Sequence, residues 1–146
     1  MFSRSCQYAI QSVLYIHLNS REGDAVKSRE IAESQQIPLH FLGKILQTLV
    51  KENILDSVKG PAGGFILKKG REELTILEIV RIIDGLEIFE HCGIGLKNCS
   101  DLNPCPIHHD YKNVRIRIRE LLSCKTIEKL CKDIEEGTSI VNFNTV

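Results

Sequence analysis

The chain has 146 residues, and its 19 Lys and Arg are balanced by 19 Asp and Glu, so the formal charge at pH 7 is zero. This length suits one compact domain with a small appendage, and the charge balance excludes both a polybasic coat and an acidic disordered tail. No apolar run is long enough to cross a bilayer, and the first residues contain no signal-peptide core. The composition therefore predicts a soluble, cytoplasmic protein with no membrane partner.

The first third of the chain is predicted to form three helices, because apolar residues recur at helical spacing between turn signals. The first helix spans residues 5–18 and is followed by a turn at 21–24. Ser28 is expected to cap a short second helix over residues 29–35. The third helix runs from just after Pro38 to about Lys51. Its inward stripe is predicted to contain Leu39, Leu42, Leu46, Leu49 and Val50.

Two short apolar strands, 54–58 and 65–67, flank a loop rich in glycine and proline, which predicts a β-hairpin. Thr75 and Glu78 fit a capping box that opens another helix, and Gly85 fits its end. A loop follows at 91–106. Residues 108–123 alternate like a strand but also carry a helical stripe, and we interpret this long segment without Gly or Pro as a helix. A last helix is predicted over residues 126–136. The fold class is therefore mostly α with a small β-hairpin.

Three helices followed by a hairpin is the element order of a winged helix-turn-helix, in which the third helix enters the major groove of DNA. On this helix His40, Gly43, Lys44 and Gln47 are expected to face outward. Between residues 38 and 71 six Lys and Arg stand against one Glu and one Asp, which is a local excess of positive charge. Such a segment can bind phosphates even in a neutral protein. The alternative, that the helices and the glycine turn are purely structural, stays open on spacing alone.

Cysteine is the most informative residue type in this sequence. Three of the six cysteines, Cys92, Cys99 and Cys105, fall within one polar loop, and His108 follows three positions after the last of them. This spacing lacks the paired knuckles of structural zinc sites and suits an iron–sulfur cluster better. The alternative is three unrelated thiols. The other three are predicted to pack in the interior: Cys124 and Cys131 on helices, and Cys6 on the first helix unless it is an open thiol.

Several motifs together resemble the Rrf2-type winged-helix regulators. They are Tyr8-Ala9, the segment Pro38–Leu42 that opens the third helix, the wing sequence Lys59–Phe65 and the three loop cysteines. The resemblance implies a homodimer that binds double-stranded DNA at a pseudo-palindromic operator, with the helix at 108–123 crossing its symmetry mate. The DNA-binding residues it implies are Ser28, His40, Phe41, Gly43, Lys44, Lys59, Gly60, Pro61, Gly63 and Gly64.

The same resemblance implies an iron–sulfur cluster held by Cys92, Cys99, Cys105 and His108, with 2Fe–2S favoured and 4Fe–4S possible. We expect Asp110 or a nearby carbonyl to hold the second ring nitrogen of His108. The chain then divides into a DNA-binding domain at 1–85, a cluster-binding loop at 86–107, and a dimerisation helix with a C-terminal helix at 108–146.

The function predicted from these features is a transcriptional regulator, expected to be a repressor, whose operator binding is controlled by a cluster that senses redox state, nitric oxide or cluster status. One alternative is a metal-free thiol-sensing regulator that works with a metabolic enzyme. Another is an iron–sulfur electron carrier, which is disfavoured because the loop has no fourth cysteine and a carrier needs no basic wing. No enzyme motif is present, so catalysis is not expected.

Overall fold

The computed structural model describes residues 1–20 and 23–143, and within them it contains six α-helices and one antiparallel hairpin. The elements in chain order are α1 Arg4–Asn19, α2 Ser28–Gln35, α3 Leu39–Lys51, β1 Leu55–Val58, β2 Gly64–Leu67, α4 Ile76–Ile83, a 3₁₀ turn Glu87–Phe89, α5 His108–Cys124 and α6 Ile127–Glu135. The predicted class, mostly α with a small hairpin, is confirmed.

The helices α1, α2 and α3 pack around one apolar core, which includes Leu42, Ile45, Leu46 and Leu49 of α3. Leu39 was expected in this stripe but is 43% exposed, because it is the first residue of α3 and lies beyond the edge of the core. The predicted turn at 21–24 lies partly outside the described residues.

The start of α2 differs from the prediction. Ser28 is the first residue of the helix rather than its cap, and Lys27, which occupies the cap position, makes no side-chain capping bond. The reason lies in the preceding residue: Val26 pairs with Phe65 of β2 through two backbone hydrogen bonds, both 2.8 Å long. This pairing holds the chain extended up to Lys27, so the helix begins one residue earlier than expected.

The wing is a two-stranded ladder in which Leu55 pairs with Leu67 and Val58 pairs with Gly64. Two of its glycines are required by close backbone packing. A Cβ atom at Gly63 would lie 2.4 Å from the carbonyl oxygen of Val58, and one at Gly64 would lie 2.4 Å from the carbonyl oxygen of Val26. The turn of the wing is therefore folded tightly against the end of β1, and the start of β2 against the segment that precedes α2.

The last helix returns to the N-terminal part of the fold. Thr75 caps α4 as predicted, whereas the Glu78 side chain, expected to complete the capping box, pairs with Arg71. The backbone at Thr75 forms a bridge with that at Thr126, which caps α6. This bridge places α6 against α1, where Ile127 and Cys131 are buried in the shared core. The predicted packing of Cys131 is confirmed.

The remaining cysteines outside the loop behave differently from one another. Cys6 is fully buried on α1, so its predicted packing role is confirmed. Cys124 is exposed, and its predicted place in the core is wrong. It is the last residue of α5, where the chain turns toward α6.

The segment at 108–124 is a helix, α5, as we interpreted it, and among its apolar residues Leu122 alone is buried. Val114 and Leu121 are each about half exposed, at 50% and 55%. Because these two residues are seven positions apart, they lie on the same face of the helix. In the described residues no helix combines the length and apolarity needed to span a membrane.

Candidate cysteine–histidine centre and DNA-binding face

The loop between α4 and α5 brings the three predicted cysteines together. Their Sγ atoms all lie within 4.8 Å of one another, and those of Cys92 and Cys105 are 3.6 Å apart. Short turns build this arrangement: the N–H of Gly95 donates to the carbonyl of Cys92, and Ser100 and Asn103 exchange backbone hydrogen bonds. The loop therefore gathers three soft sulfur donors at one point.

His108 completes the group from the first residue of α5. Its backbone N–H donates to the carbonyl of Cys105 at 3.0 Å, and its Nδ1 atom lies 3.1 Å from Cys99 Sγ. The other ring nitrogen, Nε2, lies 2.9 Å from Oδ1 of Asp101. The predicted partner for this nitrogen was Asp110 or a carbonyl, and the structure corrects this to Asp101. Asp110 lies on α5 itself, whereas the turn at 100–103 carries Asp101 to the imidazole.

Asp101 is also held by Lys112, whose ammonium contacts both carboxylate oxygens at 2.8 and 2.6 Å. Hydrogen bonds first from Lys112 and then from His108 lower the pKa of Asp101 to about 2. The carboxylate is therefore charged throughout the physiological range, and it fixes the orientation of the imidazole.

The loop backbone also acts on the thiols. Hydrogen bonds from the backbone N–H groups of Ile94 and Leu96 are the main cause that lowers the pKa of Cys92, to about 7. At Cys99 the N–H of Cys105 acts in the same direction, but burial and the neighbouring thiols of Cys105 and Cys92 together raise its pKa. One thiol of the group is thus prepared as a thiolate, the form that binds metal.

The donor set fits an iron–sulfur cluster. It consists of three thiols and one imidazole nitrogen, in which Cys92 contacts Cys105, Cys99 contacts His108, and the three thiols lie close together. A two-iron cluster requires two protein ligands for each iron, and such clusters accept imidazole in place of thiolate. The His108 side chain is only 9% exposed, so its ring is held inside the loop.

The outward face of α3 carries the predicted major-groove residues. His40 and Lys44 are exposed, while Phe41 is half-buried with its ring edge-on to Tyr8 at 5.9 Å. A Cβ atom at Gly43 would meet nothing within 4 Å. No packing contact therefore requires glycine at this position, although glycine inside a helix is destabilising.

The tip of the wing exposes Lys59, Gly60 and Pro61, whereas Gly63 and Gly64 are half-buried. Gly60 has φ of 102°, which only glycine adopts readily, and its carbonyl accepts from the N–H of Gly63 at 2.9 Å. An open groove of about 550 Å³ separates the wing from the start of α2. It is lined by the residues Lys27, Ser28, Arg29, Ser57, Val58, Gly60, Pro61, Gly63, Gly64 and Phe65.

Comparison with known families decides what kind of protein carries these two surfaces. The family model described as "Rrf2: Iron-dependent Transcriptional regulator" matches residues 2–133. The chain belongs to the Rrf2 family. The resemblance inferred from the motifs is thereby confirmed.

Named relatives agree with this assignment. A helix-turn-helix transcriptional regulator of Aquifex aeolicus (strain VF5) is 35% identical over 138 residues, which cover 93% of this chain and 94% of that protein. The regulator IscR of Photorhabdus laumondii is 30% identical over 129 residues, which cover 88% and 77% of the two chains. The chain is thus a transcriptional regulator of the Rrf2 family.

Solved structures share the fold. CymR, described as the global cysteine regulator of B. subtilis, superposes with a TM-score of 0.76 at 18% identity, covering 90% of this chain and 96% of that one. T. potens IscR superposes with a TM-score of 0.73 at 22% identity, covering 98% and 94%. Both comparisons confirm the winged helix-turn-helix architecture.

In this Rrf2 chain the local positive charge is smaller than the sequence count indicates. Lys68 contacts Oδ1 of Asn53 at 2.8 Å and lies 3.8 Å from Asp56, and Arg71 forms an ion pair with Glu78 at 2.6 Å. Two of the six cations counted between residues 38 and 71 are therefore engaged within the protein.

Sequence reasoning also missed residues that the fold brings to both surfaces. Lys27 and Arg29 add two exposed cations beside the wing. The sequence feature that could have identified them is the pair of basic residues on either side of Ser28. Asp101 and Lys112 support His108. Nothing in their spacing marks these two residues, because the turn at 100–103 decides where Asp101 lies.

Proposed function

We propose that this Rrf2 regulator binds its operator with an affinity that depends on an iron–sulfur cluster held by Cys92, Cys99, Cys105 and His108. The observation that carries the proposal is the convergence of these four side chains, with three Sγ atoms within 4.8 Å of one another and His108 Nδ1 3.1 Å from Cys99 Sγ. The imidazole among the donors favours a 2Fe–2S cluster over 4Fe–4S, because two-iron clusters accept imidazole in place of thiolate.

When bound, such a cluster would supply a redox-active centre that reacts with oxygen and nitric oxide. The protein residues prepare its site. Asp101 accepts a hydrogen bond from Nε2–H of His108 and so leaves Nδ1 free to act as a ligand. The low pKa of Cys92 supplies a thiolate near neutral pH without a further base.

DNA binding is proposed for the face formed by α3, the start of α2 and the wing. His40 and Lys44 are placed to contact base edges or phosphates in the major groove, and Gly43 allows the helix backbone to approach the DNA closely. Phe41 packs on Tyr8 and supports the exposed residues on either side of it. We therefore propose that residues 1–85 form the DNA-binding part of the chain.

Around the wing, we propose that Lys59 at the exposed tip contacts a phosphate, and that Gly60 and Ser28, which line the groove, do so from its two sides. Pro61 stiffens the exposed tip. The proposed roles of Gly63 and Gly64 are indirect, since their contacts are with the protein backbone and they let the wing fold to this shape.

A homodimer through α5 is supported by the exposed apolar side chains of Val114 and Leu121. Since His108 opens this helix and Val114 lies less than two turns later, the loop at 86–107 is attached directly to the proposed dimer interface. A change in the loop would therefore alter the distance between the two α3 recognition helices of the dimer. That distance must match the spacing of the two half-sites in the operator.

The decisive experiment is anaerobic purification, followed by iron and sulfide analysis, a visible spectrum, and binding of a duplex selected by the protein from a random library. We expect one cluster per chain and a difference of about 5- to 150-fold in affinity between loaded and cluster-free protein. Cys99→Ala should abolish both, whereas Cys124→Ala, an exposed cysteine outside the site, should change neither.

Protein that contains no iron after reconstitution would contradict the proposal. If such protein instead changed its DNA affinity when its thiols were oxidised, the metal-free thiol regulator would be favoured. The 3.6 Å between Cys92 and Cys105 makes this pair the disulfide to look for.

A further inference from the structure

One face of α5 packs against the loop that carries the three cysteines. The side chains on it recur at helical spacing, namely His108, Tyr111, Lys112 and Arg115. His108 and Lys112 hold Asp101, in the second half of the loop. The other two contact the residues on either side of Cys92.

Gly93 lies directly against the ring of Tyr111. A Cβ atom at Gly93 would be 3.0 Å from each of three ring carbons, which is closer than an ordinary van der Waals contact. Gly93 is not among the residues with positive φ, so the backbone conformation does not require glycine here. A side chain at Gly93 would instead push the Tyr111 ring away by a few tenths of an ångström.

Arg115 contacts the residue on the other side of Cys92. Its Nη1 group donates a hydrogen bond to the carbonyl oxygen of His91, and its guanidinium carbon lies 5.2 Å from the centre of the Tyr111 ring. The Nε atom is buried and has no partner in the described residues. Burying part of a guanidinium is costly, so its contacts with His91 and Tyr111 must offset that cost.

We propose that Tyr111 and Arg115 are positioning residues for the ligand Cys92. By holding His91 and Gly93, they set the place of the Cys92 sulfur relative to α5. The inference rests on the proposed cluster function and adds a mechanical connection to it. The first cysteine of the loop is tied to the same helix that carries Val114 and Leu121, so loop and dimer interface move together.

The first test compares Arg115→Gln with Arg119→Gln, a matched variant at an exposed arginine one turn later on the same helix. We expect Arg115→Gln to lose its cluster about tenfold faster in the presence of a chelator, with a changed visible circular dichroism spectrum. Arg119→Gln should behave like the unmodified protein. Arg115→Lys keeps the charge and one donor, so it should restore part of the lifetime.

Tyr111 offers a second pair of variants. Tyr111→Phe retains the ring against Gly93 and should leave the spectrum and lifetime unchanged, whereas Tyr111→Leu should reproduce the effect of Arg115→Gln. Unchanged spectra and lifetimes in both Arg115→Gln and Tyr111→Leu would overturn the inference. So would equal effects of Arg115→Gln and Arg119→Gln.

The second test uses cluster-free protein, which separates this inference from the proposed function. Amide hydrogen exchange across residues 90–96 should be about fivefold faster in Arg115→Gln than in Arg119→Gln, because one hydrogen bond that holds the segment is lost. Equal exchange rates would overturn the positioning role whether or not a cluster binds. Faster exchange in a protein that takes up no iron would preserve the positioning role and contradict the proposed function alone.

Discussion

Val26 and Phe65 exchange two backbone hydrogen bonds of 2.8 Å, and this pairing joins the wing to the start of α2. Gly64, next to Phe65, has no room for a side chain because Val26 lies against it. Lys27, which follows Val26, and Lys59, at the exposed tip of the wing, are therefore carried by one connected unit. In the proposed complex these two lysines should therefore contact phosphates as one unit, and not as two independently mobile cations.

Lys59→Ala is expected to weaken operator binding and to lower the slope of log affinity against log salt by about 0.9, because one phosphate contact is lost. Titrations by fluorescence anisotropy at several salt concentrations measure both quantities. Lys68→Ala is the matched control, since Lys68 is engaged with Asn53 and Asp56. An unchanged slope in Lys59→Ala would remove this residue from the interface.

Gly43→Ala is expected to act in opposite directions on stability and on DNA binding. The added methyl group meets nothing within 4 Å, so the free energy of unfolding should rise by about 0.5–1 kcal/mol. The same methyl group should weaken operator binding if the α3 backbone approaches DNA closely. Denaturant unfolding and anisotropy give the two values.

The control for Gly43→Ala is Gly63→Ala. Its Cβ atom would lie 2.4 Å from the backbone oxygen of Val58, so this variant should be less stable. Increased stability of Gly43→Ala with full DNA affinity would show that the exposed glycine has no role in recognition.

The helices and the hairpin could be predicted because their signals are local. Apolar residues of α1 and α3 recur at helical spacing, and glycines mark the turn of the wing. The sequence of α5 was ambiguous between strand and helix only where apolar and charged residues alternate. The length of the segment correctly favoured a helix. The convergence of Cys92, Cys99 and Cys105 was likewise foreseeable, because all three lie in one short loop.

The errors have non-local causes. Ser28 does not cap α2 because Val26 pairs with a strand nearly forty residues later in the chain. Cys124 is exposed because the return of the chain to α6 turns it away from the core. Asp101 supports His108 because of a turn whose shape depends on the hydrogen bonds of Ser100 and Asn103. None of these relationships has a periodic signature in the sequence.

Leu121→Glu is expected to convert the proposed dimer into a monomer, because it places a charge in an apolar contact between the two α5 helices. Ile116→Glu is the matched control. Ile116 is also exposed on α5, at 45%, but lies about 200° around the helix from Val114. Sedimentation velocity at micromolar concentration distinguishes the two states. Dimers in both variants would contradict an interface at Leu121.

Cys6 should make the protein less stable in alkali. Burial first, and then the nearby carboxylate of Asp84, raise its pKa from 9.0 to about 12. The unfolded chain therefore releases this proton at lower pH than the folded protein does. The contribution of the protonated Cys6 thiol to the free energy of unfolding is complete below about pH 9. It is lost between pH 9 and 12, at roughly 1.4 kcal/mol per pH unit.

Denaturant unfolding at pH 8, 9 and 10 measures this dependence. Cys6→Ala should reduce the slope of stability against pH above pH 9, whereas Cys124→Ala, which removes an exposed thiol, should leave the slope unchanged. The comparison concerns slopes, so any cavity left by Cys6→Ala does not affect it. Equal slopes in the two variants would show that Cys6 ionises freely in the folded protein.

His108 should be the ligand whose replacement changes the electronic properties of the bound cluster most clearly. His108→Ala is expected to reduce cluster retention by about 10- to 100-fold and to alter the visible spectrum.

His108→Cys should retain a cluster, but at a lower reduction potential. A thiolate would add one negative charge where the neutral imidazole now lies 3.1 Å from Cys99 Sγ. His17→Ala is the control, since His17 lies in the last turn of α1 and not in the cysteine loop. Asp101→Asn should weaken cluster retention less than His108→Ala, because it loosens the imidazole without removing it. If His108→Ala kept the original spectrum, reduction potential and lifetime in oxygen, His108 would not be a ligand.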